Sequence, residues 1–265
     1  MPELKETYAD PQIHQRWEDV YRGNRRLDRL TDAILARALA RVGLTGDALF
    51  LDAGCGIGAH TRRIAGHGHR CVGVDISPHV LRQAVRQSSS VRAGRICYAA
   101  SALERLPFDR ATFDVVHCRG VLMHIPDWGK ALDNLCEVVK PGGCIIIIEN
   151  NDRSLFARAL LAARAVAGGR AHSRMVRTPG GVEFWSQENG RPFVVRMANI
   201  GELIRRLGAN GFEARGRFGT SVLDVERIRA GWPRAAVIGL NHAAFAMGLP
   251  AGLCKGNVVI GRRRA

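Results

Sequence analysis

Eight residues, Leu51 to Gly58 (LDAGCGIG), followed by Asp75 in GVDIS, carry the densest chemical pattern of the chain. Apolar Ala48 to Leu51 reads as a buried strand. It runs into Gly54, Gly56 and Gly58, where the backbone must turn tightly and let a ligand approach without side chains in the way. Such a turn binds nucleotides. Asp75 ends a second apolar strand, Cys71 to Val74, and a carboxylate at that place accepts hydrogen bonds from both hydroxyls of a ribose. The spacing G-x-G-x-G, with Asp52 just ahead of the turn, is not the G-x-G-x-x-G of dinucleotide folds, and no GxxxxGK follows. With no lysine or arginine placed for phosphates, the pattern favours a phosphate-free nucleoside with a free ribose diol.

A sheet must hold these residues together. Apolar runs alternate as strand 48–52, a helix from Thr61, strand 71–75, helix 78–87, strands 95–99 and 113–118, helix 128–139 and strand 144–149, which predicts an α/β, doubly wound parallel sheet. Two helices precede it, Pro11 to Tyr21 and Leu27 to Val42, closed by Gly43. Beyond Asn150 come an amphipathic helix, Ser154 to Ala167, and a stretch, 168–195, rich in glycine, proline and isolated aromatics that reads as an inserted flap. A helix from Ile200 to Leu207 then leads to two final apolar runs, Phe212 to Phe218 and Asn257 to Gly261. The expected organisation is an N-terminal helical cap over 1–46 and a catalytic domain over 47–265, interrupted by the insert at about 151–195.

In order and interval, DAGCGIG at 52–58, GVDIS at 73–77, LPFDRATFDVVHCRGVLMHIPD at 106–127 and KPGGCIIIIE at 140–149 resemble the motifs of class I S-adenosylmethionine-dependent methyltransferases of the small-molecule, UbiE-like type. The resemblance runs from about Ala48 to Asn150. It implies a Rossmann-like seven-stranded sheet, closed by an antiparallel hairpin made from the last two apolar runs. It also implies S-adenosylmethionine as cofactor. The backbone at Gly54 and Gly56 would then face the methionine part, Asp75 the ribose and Ile76 the adenine. Ser101, Ala102 and Leu103 would meet the adenine edge, with Glu104 a little late for that role. Cys118 would lend its carbonyl to the methionine amino group, next to Arg119. Tyr8, Trp17 and Tyr21 resemble the aromatics that N-terminal helices of such enzymes fold over the cofactor. Where metal-using quinone-type relatives have a glutamate before the histidine of the fourth-strand region, this chain has Met123, so no metal is expected.

Methyl transfer from a sulfonium is an in-line displacement, in which a base is needed only when the nucleophile arrives protonated. His124, in VLMHIPD, falls just past the fourth strand, where open α/β sheets bind ligands, and neutral histidine takes a proton near pH 7. It is the candidate general base, against the alternative of capping the turn at Pro126 and Asp127. Arg119, Arg191 and Arg196 are candidates for an acidic substrate, against solvated surface positions.

Composition narrows the remaining choices. The net charge is +15, but only four of the 39 basic residues are lysines, and the arginines are scattered, as a GC-rich bacterial coding sequence would give. Nucleic acid is therefore not the expected partner. The Asn/Asp-Pro-Pro-aromatic tetrapeptide of base-amine methylation is replaced by Cys118, Arg119, Gly120 and Val121, and no Pro-Cys pair serves cytosine C5 chemistry. The seven cysteines form no C-x-x-C pair and read as buried thiols. The charged N-terminus argues against a signal peptide and for the cytoplasm. Ala235 to Leu253 carries no charge but is broken by Asn241, His242, Pro250 and glycines, so it reads as a buried or pocket-facing helix rather than a stable membrane insertion. The expected activity is methyl transfer to an oxygen or nitrogen of a metabolite or natural-product intermediate. The flap and the 235–253 segment would supply a lipophilic roof. An RNA methyltransferase is the second reading and a non-catalytic cofactor-binding protein the third. Whether the chain acts alone or as a homodimer is not legible at this level.

Overall fold

The computed structural model describes residues 2–14, 24–166, 173–225, 228 and 230–265. Among them the main sheet has seven strands: β1 (Leu49–Ala53), β2 (Arg70–Asp75), β3 (Ile96–Ala100), β4 (Phe113–Arg119), β5 (Val139–Asn150), β9 (Phe212–Ser221) and β10 (Gly256–Arg263). Their order is β3-β2-β1-β4-β5-β10-β9. β1 to β5 run parallel, and β10 lies antiparallel between β5 and β9. Order reverses after β1, so the carboxyl ends of β1 and β4 flank the crevice where such sheets bind ligands. This is the Rossmann-like seven-stranded sheet with the C-terminal antiparallel hairpin that the resemblance implies.

Both faces are covered because the strand sequences are apolar on both sides. Ile145 and Ile147 of β5 face one cluster, with Leu132 and Leu135 of α5 (Trp128–Glu137) and Leu203 and Leu207 of α7 (Ile200–Ala209). Ile146 and Ile148 face the other, with Ile34, Leu35 and Ala38 of α2 (Arg25–Val42), Ile64 of α3 (Ala59–Gly66) and Phe245 of α8 (Trp232–Ala246). Local chemistry sets the helix ends. The Asn24 side chain caps α2 at Leu27 N–H, and Gly43 stops the helix in the left-handed region.

The insert is more ordered than its composition suggests. After α6 (Leu155–Val166), β6 (Arg174–Thr178), β7 (Gly181–Glu188) and β8 (Arg191–Ala198) form an antiparallel three-stranded sheet. Its Val182 and Phe184 pack on Ala157 and Phe156 of α6. On its other side, Val194 and Trp185 pack on Leu4 and Tyr8 of α1 (Pro2–Ala9). The 235–253 segment departs from expectation. α8 covers the sheet with one face only, and Leu240 and Met247 are 48% and 69% exposed.

Candidate functional site

A cavity of about 380 Å³ opens at the carboxyl ends of β1, β2 and β4. Gly54, Gly56, Asp75, Ile76, Ser101, Ala102, Leu103 and Arg119 line it together, so most of the residues expected around one ligand share one space. The glycines are dictated by geometry. Gly54 has φ +70° and a Cβ there would overlap Val121; Gly58, at φ +75°, starts α3 and leaves no room for a side chain beside Tyr98.

Asp75, 7% exposed, accepts Gly56 N–H on Oδ2 at 2.9 Å and Ser77 N–H on Oδ1 at 3.0 Å. Each oxygen keeps a second lone pair for a ligand hydroxyl. Burial raises the carboxyl above its ordinary range, while His14 and the two amides act in the opposite direction. The residues present fit a nucleoside: left-handed glycines beside an acceptor pair at the end of β2, apolar Ile76 and Leu103, and a volume inside the range of ligand pockets.

Some expected residues lie elsewhere. Asp52 is buried behind the glycine turn, accepting Thr61 Oγ1–H at 2.6 Å and His117 Nδ1–H at 2.8 Å. His117 stacks on His60 at 5.0 Å, and His60 Nε2 accepts Arg119 Nη1–H at 2.9 Å. Asp52 thus touches the cavity only through that chain. Because arginine only donates, His60 must be neutral; burial, Arg119 and His117 all lower its pKa. Gly58 and Cys118 do not line the cavity either, and burial pushes the Cys118 thiol far above its ordinary value, so it is no nucleophile. Trp17 and Tyr21 lie outside the described residues.

The cavity's roof is α1 with residue 14, not the flap or α8. Leu4, Lys5, Tyr8 and His14 line it, and Lys5 pairs with Glu104 at 3.1 Å, joining α1 to the loop after β3. His14 Nε2 donates to the Tyr8 carbonyl at 2.6 Å. Lys5 and His14 had no detectable role in sequence, because a short, charged N-terminal segment looks like a solvated tail, while Glu104, weighed for the adenine edge, lines the cavity and pairs with Lys5.

His124 lines the same cavity, on a 3₁₀ turn, Leu122–His124, after β4. Its Nδ1 donates to the Val194 carbonyl at 3.0 Å, so Nδ1 carries the proton and Nε2 is the basic nitrogen. Tyr8 donates to the same carbonyl at 2.5 Å and accepts Val194 N–H at 3.0 Å. Burial lowers the His124 pKa to about 4, with Arg196 and His14 adding to it. Asp127, not His124, caps α5, at Lys130 N–H.

Arg196 is buried rather than solvated. It pairs with Glu183 at 2.7 Å and donates to the carbonyls of Leu122, Ile125 and Pro126 at 2.8, 2.9 and 3.2 Å, holding the turn that carries His124. Glu149, also buried, sits by the amides of Val121, Leu122 and Met123 without closing a hydrogen bond to them. Burial pushes it up to about 7, against the pull of Arg196 and those amides.

Comparison with known proteins agrees with this arrangement. Residues 51–147 match the model of a methyltransferase domain. The chain is 27% identical over 194 residues to a ubiquinone biosynthesis O-methyltransferase of Leptothrix cholodnii, spanning 70% of this chain and 82% of that one. It is 30% identical to O-methyltransferase resE of Aspergillus sclerotiorum, across 50% of this chain and about half, 51%, of that relative's length. Among solved structures, magnesium protoporphyrin IX methyltransferase from Synechocystis PCC 6803 with bound SAH superposes with a TM-score of 0.62 at 17% identity, over 97% of each chain. The protein is a class I S-adenosylmethionine-dependent methyltransferase, and S-adenosylmethionine is its cofactor.

Proposed function

We propose that the protein transfers a methyl group to a hydroxyl oxygen of a small, largely apolar molecule such as a phenol. One observation carries the reading: the Asp75 carboxylate and the Nε2-basic His124 ring line a single cavity. Oxygen is favoured over nitrogen because the similar curated proteins are named O-methyltransferases.

Bound in the cavity, S-adenosylmethionine supplies an electrophilic methyl group on a positively charged sulfur. Asp75 would accept the ribose hydroxyls, and the backbone of Gly54 and Gly56 would pass beside the amino-acid part. Ile76, Ser101, Ala102 and Leu103 would enclose the adenine, and Arg119, oriented by His60, would meet the carboxylate. Leu4 and Tyr8 exclude water from above.

His124 accepts the acceptor's hydroxyl proton at Nε2. A pKa near 4 makes it a weak base, but the hydroxyl becomes strongly acidic as the oxygen–carbon bond forms, so a positioned imidazole that is neutral before the reaction suffices. The test is incubation with methyl-labelled S-adenosylmethionine and separate panels of phenols, aliphatic alcohols, amines and purified RNA. Label in a phenolic or alcoholic oxygen supports the proposal. Label in RNA or amines alone, or in nothing, overturns it.

A further inference from the structure

α8 leaves a continuous apolar stripe in solvent. Trp232, Ala236, Leu240, Ala243 and Met247 recur at helical spacing on its outer face, and Trp232 is 82% exposed. From Ala235 to Leu253 there is no aspartate, glutamate, lysine or arginine to interrupt it. A surface this apolar on a folded chain marks an interaction site.

The neighbouring helix says what kind. α8 is fastened to α2 by His242 Nε2 on the Arg26 carbonyl at 2.7 Å and by Arg37 Nη1 on the Phe245 carbonyl at 3.2 Å. Along α2, Arg26, Arg29, Arg37 and Arg41 fall on one side of the helix, and all but half-buried Arg37 are exposed. The two acids of α2, Asp28 and Asp32, are turned to Arg63 instead, at 2.7 and 2.5 Å. Among the described residues, none of the four arginines forms an ion pair with a carboxylate. Arg37 lies over the Phe245 ring at 3.8 Å, so an apolar helix face lies beside exposed Arg26, Arg29 and Arg41, which no carboxylate among the described residues neutralises, the pairing by which proteins settle on anionic bilayers.

We propose that this α8–α2 face docks the protein onto an anionic lipid surface, with Trp232, Leu240 and Met247 entering the headgroup boundary and the α2 arginines meeting lipid phosphates. A second copy of the chain fits the face less well, since it would bring another arginine row of a +15 molecule against the first. Attachment would be peripheral: among the described residues no helix is long and apolar enough to cross a membrane.

The full chain would be sedimented with vesicles of phosphatidylcholine alone and of phosphatidylcholine mixed with phosphatidylglycerol, at low and high salt. Binding to the anionic vesicles, weakened by salt and accompanied by a blue shift of emission that Trp232→Phe abolishes, is the expected result. Leu240→Asp/Met247→Asp and, separately, Arg26→Glu/Arg29→Glu should each lower partitioning on the order of tenfold or more. Unchanged calorimetric binding of S-adenosylhomocysteine would show that both variants are folded, independently of which acceptor the enzyme uses. Absence of vesicle binding, wild-type binding by either variant, or a dimer in light scattering that either variant dissolves would overturn the proposal.

Discussion

The carbonyl of Val194 accepts Nδ1–H of His124 at 3.0 Å, across seventy positions of sequence and from a different sheet. That single bond fixes which imidazole nitrogen is basic. It also makes the insert, through β8, part of the site without lining the cavity.

His124→Ala should lower kcat by about 10²–10⁴-fold while leaving cofactor affinity nearly unchanged. Since its pKa is lowered to about 4, the acid limb that His124 imposes on the wild-type rate should lie near pH 4, not near 6.5. The measurement is the pH–rate profile of both proteins; an alanine variant with near-wild-type kcat and the same acid limb would remove His124 from the reaction.

Asp75→Ala should weaken S-adenosylhomocysteine binding at least tenfold, because each charge-assisted hydrogen bond to a ribose hydroxyl is worth about 1.5–3 kcal/mol before compensation. The carboxyl is raised by burial, so wild-type affinity should fall as the pH drops and the acceptor pair is protonated. Titration calorimetry at several pH values reads both effects. Equal affinity in the variant would place the ribose elsewhere.

Arg196→Met strands the buried Glu183 carboxylate and leaves three loop carbonyls without their donor. Losing one partner of a buried pair costs about 3–5 kcal/mol, and urea unfolding should show a loss of that size. Arg196→Met/Glu183→Leu should recover part of it. A single variant as stable as wild type would mean the insert is not clamped to the turn by this pair.

Glu149 gives stability a pH dependence of known sign. With a folded pKa of about 7 against an unfolded one near 4.3, the folded state holds a proton that the unfolded chain releases. Stability should therefore fall as the pH rises through that window, by roughly 4 kcal/mol from this group, and level off above it. Glu149→Gln removes the titration, so unfolding at pH 5 and pH 8 should show the variant gaining on wild type at the higher pH. A constant difference between the two proteins would refute the assignment.

What the sequence determined was everything that local chemistry dictates. Apolar runs alternating with amphipathic ones specify the parallel sheet, and left-handed glycines specify the turn, because at 54 and 58 a side chain would overlap Val121 and Tyr98. Asp75 was legible because it ends a strand next to that turn. The roles of Asp52, His60, Arg196 and Glu149 were not, because each depends on a partner from another element. Asp52 meets His117 across adjacent strands, and Arg196 finds Glu183 and three carbonyls only once the insert folds back onto the turn after β4. An arginine in a glycine-rich stretch carries no mark of burial. Equally, a helix without charges does not announce whether its apolar faces will all be covered, and α8 keeps one of them in solvent because the sheet beneath it has room for only the other.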